Sequence, residues 1–371
     1  MKYAAILLGS AAGLIGVPLA QAADAVVVAE PEPVEYVRVC ETYSAGFFYI
    51  PGTETCLSVN GWMWYQIGAE GYKNSSDTPA FIGGAADADG WIKSSRARLN
   101  FDARSETDWG TLRSFIRLEA EGVSTGGVDF PVGVDQAFVQ LGGFYAGYTE
   151  SAWSATRNGG ASNWGAHSYY GMYYGYSQAQ QIGYDFTGAY GLFGTISLED
   201  DALAGDGYMP DIVAKVGVNQ GWGSVWAKFG YDESRPGAFA DEAGWGAGLG
   251  LQLNVPNSPG SSLRVLAFYS DSDNTYGSSS ALGVNSEWSV LGSYFHQFTP
   301  EFAASAAFQY FGDLYSDVGS DVSSGLNAYG AELNLVWSPV LNFEISSEIH
   351  FDKVDGLDGT PSGFLRFKRY F

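Results

Sequence analysis

The sequence predicts an all-β chain: a 16-stranded antiparallel transmembrane β-barrel with short periplasmic turns, long external loops and an inward-folded third loop. Three observations carry this. Apolar and polar residues alternate along most of the chain after residue 56, the links between alternating segments are short and long by turns, and the last segment puts Leu365, Phe367 and Phe371 on one face and Arg366 and Lys368 on the other. Period-2 alternation marks a strand between two environments, and rows of charge make the second environment water rather than a packed core. A soluble sandwich or solenoid would also alternate, but with its polar face outward and without charge rows on the inner one.

At the amino end, Lys2 precedes an apolar run over residues 4–19, and Ala20-Gln21-Ala22 has the small residues a signal peptidase needs. Residues 1–22 are therefore expected to be a cleaved secretory signal peptide. An anchor helix fits less well, because Gly9, Gly13, Gly16 and Pro18 interrupt a run already short for a bilayer. Beyond it no apolar stretch is long enough to cross as a helix, so any crossing must use strands. The 50 Gly, 24 Tyr, 23 Phe and 11 Trp suit tight turns and aromatic interfaces. A formal charge of -23 makes nucleic acid an improbable partner, since phosphate binding needs the opposite sign.

Residues 23–56 read as a periplasmic N-terminal segment: an extended leader containing Pro31 and Pro33, then a hairpin between Cys40 and Cys56. In an oxidising periplasm a disulfide there would contribute about 3 kcal/mol, with two free thiols as the alternative. No second Cys pair or nearby His completes a metal site, and no metal or cofactor is expected.

The barrel is expected over 57–371, with strands starting near 57, 91, 110, 134, 144, 179, 191, 211, 222, 242, 261, 287, 302, 325, 341 and 363. In the first, Leu57, Val59, Met63, Tyr65 and Ile67 oppose Ser58, Asn60 and Gln66. In the second and third, Arg96, Arg98, Asn100 and Asp102, then Arg113, Arg117 and Glu119, share the polar face. Short links fall at 106–109, at Gly142-Gly143 and at Pro339-Val340, while 76–90, 271–286 and 313–324 are long and rich in Asp, Gly and Ser. An even strand number puts both termini on the short-turn side, where the last strand must close against the first, bringing Arg366 and Lys368 near Asn60. Phe371 resembles the terminal aromatic by which outer-membrane barrels are recognised for assembly, and Arg369 must then snorkel to the headgroups.

So wide a barrel cannot be filled by its own side chains, and an aqueous lumen follows. The longest link, 151–178, holds Trp153, Trp164, Tyr169, Tyr170, Tyr173, Tyr174 and Tyr176, with Arg157, His167 and no carboxylate. That composition suits a constriction loop folded onto the wall; the alternative is an aromatic loop at a lipid or subunit boundary. Arg96, Arg98, Arg113 and Arg117 should form a basic patch that sorts ions, unless Asp102, Glu119 and Glu121 neutralise it and it merely stiffens the wall. Asp77, Asp87, Asp89, Asp232, Asp271, Asp273 and Asp317 lie in long loops and would make an acidic mouth, or serve only solubility or cation bridging to lipopolysaccharide. No nucleophile and base stand at a catalytic spacing, so an enzyme is not expected. Alternate glycines from Gly244 to Gly250 read as one smooth strand face able to admit a neighbouring aromatic or subunit contact.

The run from Val39 through Cys40, Phe47-Phe48-Tyr49 and Pro51-Gly52 to Cys56-Leu57 resembles the start of the porins of alphaproteobacteria, particularly the Rhizobiales. Ser95-Arg96-Ala97-Arg98-Leu99-Asn100-Phe101-Asp102, residues 106–113, Asp135-Gln136-Ala137-Phe138-Val139-Gln140-Leu141-Gly142, Gly147-Tyr148-Thr149-Glu150-Ser151 and Gly363-Phe364-Leu365-Arg366-Phe367 fit in order. The resemblance implies a homotrimeric general porin for passive diffusion of small hydrophilic solutes and ions, in contact with outer-membrane lipid and lipopolysaccharide and inserted by the barrel assembly machinery. It also implies that the loop after Ser151 narrows the pore, although the acidic residues such loops often carry are missing here. A sugar-selective channel using lumen Trp62 and Trp64 is the alternative; a barrel enzyme or adhesin is a more distant one.

Overall fold

The computed structural model describes residues 38–70, 91–123, 130–155, 157, 165–168, 172, 175–200, 208–234, 242–280 and 283–371. The expected signal peptide lies outside them. Sixteen strands close into one antiparallel barrel: β1 (Cys56–Glu70), β2 (Trp91–Thr107), β3 (Gly110–Val123), β4 (Val132–Leu141), β5 (Phe144–Glu150), β6 (Gln178–Thr187), β7 (Leu192–Asp200), β8 (Asp211–Gln220), β9 (Gly223–Asp232), β10 (Gly244–Asn254), β11 (Ser262–Ser270), β12 (Asn285–Gln297), β13 (Phe302–Leu314), β14 (Ala328–Val340), β15 (Phe343–Val354) and β16 (Thr360–Tyr370). Each predicted start falls within three residues of an observed one. Two short strands, Phe47–Tyr49 and Ser278–Ser279, add to β1 and β12.

Links 108–109, 142–143, 221–222 and 341–342 are two-residue turns at one end; the long links gather at the other. The turn after β14 corrects the expected one at Pro339-Val340. Asn342 takes φ 60°, a left-handed conformation that Asn tolerates and Pro or Val does not, so the chain turns there. Pro339 is accommodated in the strand, where the register shifts between Trp337 and Val340 and no ladder N–H is required of it.

β16 closes on β1, from Ser362 opposite Glu70 to Tyr370 opposite Trp62. Phe371 and Gly61 then exchange backbone hydrogen bonds of 3.1 Å in both directions. Below that point the Phe47–Tyr49 strand takes over the β1 edge, with Phe47 opposite Ser58 and Tyr49 opposite Cys56. Cys40 and Cys56 are disulfide-bonded, so the free-thiol alternative falls. Both are buried with Phe47 against Tyr43 and Tyr49.

The outer face is apolar: Met63, Ile182, Tyr184, Trp288, Val290, Leu333, Leu335 and Trp337 are all exposed. Alternation is weakest in β12 because Leu291, an apolar residue, faces inward, where it joins a buried cluster with Trp153 and Phe268. Replacing Cys40 and Cys56 together by Ser should leave the barrel able to form but lower its resistance to denaturant, by about 3 kcal/mol if the bridge constrains the unfolded chain. Heat-modifiable gel migration with and without reductant measures this; an identical midpoint would make the bridge a local tether only.

Candidate functional site

The β2–β3 hairpin brings the four predicted arginines onto one lumen face, and it interleaves them with acids. Its register sets Arg98 opposite Glu119, Arg96 opposite Glu121 and Arg117 opposite Asn100. Arg96 bonds Glu121 and lies 3.8 Å from Glu119, while Arg98 bonds Glu119. Asp102 accepts two hydrogen bonds from Arg113, both 2.9 Å, and two from Arg104, at 3.0 and 2.7 Å. Arg117 donates to Asn100 at 3.0 Å and meets Asp135 at 3.4 Å. Arg104 was not singled out from sequence, although it continues the even-numbered row that begins at Arg96.

At the closing seam each tryptophan is flanked by a cation from either neighbouring strand. Arg96 and Arg366 stand 5.6 and 4.7 Å from the Trp64 ring centroid, and Arg98 and Lys368 stand 4.8 Å from that of Trp62. Arg366 and Lys368 are not beside Asn60 as expected. The register sets them opposite Gln66 and Trp64; Arg366 Nε donates to Gln66 at 2.9 Å, and Asn60 accepts from Asn100 instead. Ring faces that a sugar would need are thus occupied by cations.

The third long loop folds inward and is fixed to successive strands across the lumen. The Ala152 N–H donates to Glu199 on β7 at 2.8 Å, and the Arg157 N–H donates to Asp185 on β6. Arg157 also donates to the Glu150 carbonyl and lies 4.0 Å from the Tyr145 ring centroid. Lys228 on β9 donates to the Trp153 carbonyl at 3.4 Å, with its ammonium 3.9 Å from the indole centroid. His167 bridges two strands, with Nε2 2.9 Å from Ser262 Oγ on β11 and Nδ1 2.7 Å from Ser293 Oγ on β12. Arg264 donates to the Gly165 carbonyl at 3.2 Å, and Met172 reaches Gly330 on β14, where a Cβ would come within 2.5 Å of its methyl. Wall carboxylates serve the loop's backbone amides, which explains how a loop without acids of its own is held. Tyr169 and Tyr173, with Trp164, Tyr170 and Tyr174, lie outside the described residues.

A second loop also turns inward, with little sign of it in its composition. Tyr276, between β11 and β12, is 1% exposed and donates to Asp211 at 2.6 Å. Burial, with Glu199 and Asp211 nearby, pushes its hydroxyl well above the ordinary phenol range, so it remains a donor. The alternate glycines of β10 are the floor beneath it. A Cβ at Gly250 would lie 2.0 Å from the Trp226 ring, at Gly248 2.8 Å from Lys228 and at Gly246 2.3 Å from the Tyr276 carbonyl. That stripe was legible as a smooth face admitting an aromatic; the rings that lie on it were not.

Several loop acids counted toward an open acidic mouth are instead bound to backbone amides. Asp232 accepts from Ser234 and Thr275, Asp271 from Trp245, and Asp273 from Asn285 and Gly319. Asp232 and Asp273 are buried. Their sequence signature, Asp beside Ser, Gly and Asn, is that of turn capping as much as of surface charge.

Residues 24–362 match the Porin subfamily profile. Porin Omp2b of Brucella suis biovar 1 is 32% identical over 403 aligned residues, covering 100% of both chains. Porin Omp2b of Brucella neotomae is 39% identical over 254 residues, 62% of this chain and 66% of that one. Among solved structures, the outer membrane channel DcaP of Acinetobacter baumannii superposes with a TM-score of 0.62 at 18% identity, covering 87% of this chain and 99% of its own. A porin mutant of Rh. blastica superposes at 0.52 and 14% identity, over 85% of this chain and 100% of its own. At such identities the two structures speak for the fold alone, the outer-membrane barrel. With the profile spanning nearly the whole chain and a full-length relative beside it, the chain belongs to the Porin subfamily, and it is a general diffusion channel of the outer membrane.

Proposed function

We propose that solutes cross between the β2–β3 wall and the inward loop, with residues 151–178 as the constriction. One observation carries this: accessibility differs across the lumen. Side chains of Arg96 and Glu121 are each 31% exposed and that of Arg98 is 22%, whereas Lys215, Lys228 and Arg264, beneath the loops, are buried residues. Water therefore has its room along the β2–β3 wall. The route is passive, for small hydrophilic solutes and ions. Arg96, Arg98, Arg113, Arg117 and Glu119 line it, and Trp153, Arg157, Tyr169 and Tyr173 belong to the loop that narrows it.

A homotrimer is supported by the outer face of β2 and β3. Lys93, Ser95, Ala97, Ala103, Ser105, Ser114, Ala120 and Gly122 interrupt the apolar row of Trp91, Leu99, Phe101, Leu112, Ile116 and Leu118 there, where β12 and β14 present more large apolar side chains. Small and polar side chains suit a protein neighbour better than hydrocarbon. The other strands would face lipid and lipopolysaccharide. Export would use the signal over 1–22, and the exposed Phe371 would serve recognition by the assembly machinery.

In planar bilayers the protein should give steady ohmic openings, in triplets for a trimer, unblocked by sugars; absence of any conductance would end the channel reading. Arg96→Ala leaves Glu121 without its partner, so reversal potentials in a salt gradient should move toward cation preference. An unchanged potential would remove this wall from ion sorting.

His167 supplies a pH test of the loop. Burial, then the nearby Arg264 charge, lowers its pKa from 6.5 to about 4, so the bound imidazole is neutral. The unfolded chain takes up the proton first as pH falls, so this attachment loses stability from about pH 6.5 down to pH 4. Open-channel noise should rise between pH 7 and pH 4.5 in the wild type and change less in His167→Gln; equal pH dependence in both would clear His167 of the role.

A further inference from the structure

Trp153 is 1% exposed, and two groups from distant parts of the chain contact it. The Lys228 ammonium lies 3.9 Å from the ring centroid and donates to the residue's own carbonyl. The Tyr276 ring lies 5.4 Å from it, tilted by 57°. Lys228 stands directly opposite Lys215 in the β8–β9 register, an arrangement in which like charges repel. Among the described residues Lys228 meets the Trp153 indole and carbonyl, and the Phe268 ring at 5.1 Å, rather than a carboxylate, so the indole answers an electrostatic need of the wall.

Tyr276 is itself held from several directions. Its hydroxyl bonds Asp211 on β8, its ring covers Gly230 on β9, where a Cβ would come within 2.3 Å, and its carbonyl covers Gly246 on β10. The preceding Thr275 N–H donates to Asp232 at 2.8 Å, and the Asp273 N–H donates to the Ser320 carbonyl at 2.8 Å. Ser278 and Ser279 pair with Ser286 and Asn285 on β12. A loop that served only the outer surface would need neither a buried phenol nor a floor of glycines.

We infer that residues 271–280 are a second inward element that positions the constriction, through a clamp in which Lys228 and Tyr276 both hold the Trp153 indole. This rests on the reading of residues 151–178 as the constriction. Lys228 and Tyr276 are positioning residues: they touch the loop and need not touch the solute. Loss of either contact loosens the hold on Trp153.

Single-channel recording on Trp153→Ala, Tyr276→Ala, Tyr276→Phe, Lys228→Met and Lys228→Arg tests the clamp, with folding checked by heat-modifiable migration. Tyr276→Ala and Lys228→Met should raise open-channel noise severalfold and close at lower voltage. Tyr276→Phe and Lys228→Arg, which keep the ring and the charge, should restore most of the wild-type threshold, a rescue that loss of overall stability would not produce. If Trp153→Ala changes conductance while Tyr276→Ala and Lys228→Met behave as wild type, the clamp is overturned and the constriction stands. If Trp153→Ala also conducts as wild type, the constriction reading fails and takes the clamp with it. Should Tyr276→Ala not fold, Tyr276→Leu keeps the apolar bulk without the ring and is read in the same way.

Discussion

In hydrocarbon no backbone amide or carbonyl can look to water, so the sheet has to close on itself. The β16–β1 seam is where that demand is met. β1 has 15 residues and β16 has 11, so the first residues of β1 would be left with an open edge. The Phe47–Tyr49 strand covers it, and the Cys40–Cys56 bond ties that strand down. The hairpin that precedes the barrel is thus a part of its closure.

Closure at this strand number leaves an interior too wide for side chains to fill. The chain fills one side and leaves the other wet. On the filled side, glycines of β10 let Trp226, Lys228 and Tyr276 lie flat against the wall beneath and beside the inward loop. On the wet side, arginines and carboxylates of β2 and β3 satisfy one another across the strands. Both solutions follow from having polar groups inside a shell that water reaches unevenly.

Strand number, order and most boundaries were legible because the period-2 signal is local and repeated. It faltered where a local rule met a tertiary need. Leu291 faces inward to pack with the loop, and Pro339 extends a strand because Asn342 accepts the left-handed turn. For the site, the arginine row could be read but its partners could not, since Glu121 meets Arg96 only through register. Likewise, an Asp in a loop looks the same in sequence whether it faces water or, like Asp232 and Asp273, caps buried amides. Alternation assigns a face; it does not say what stands opposite.

The seam also carries its own guard against mispairing. A slip by one residue would turn Arg366 and Lys368 toward lipid, which their charge forbids. A slip by two toward Cys56 would move the Phe371 ring off Gly61, where a Cβ would lie only 3.0 Å from it, and set it against Val59. A longer slip would run into the Phe47–Tyr49 strand, which already occupies the edge at Ser58. Parity, a glycine seat and a disulfide-anchored stop together act as a gauge for the register of the closing strand.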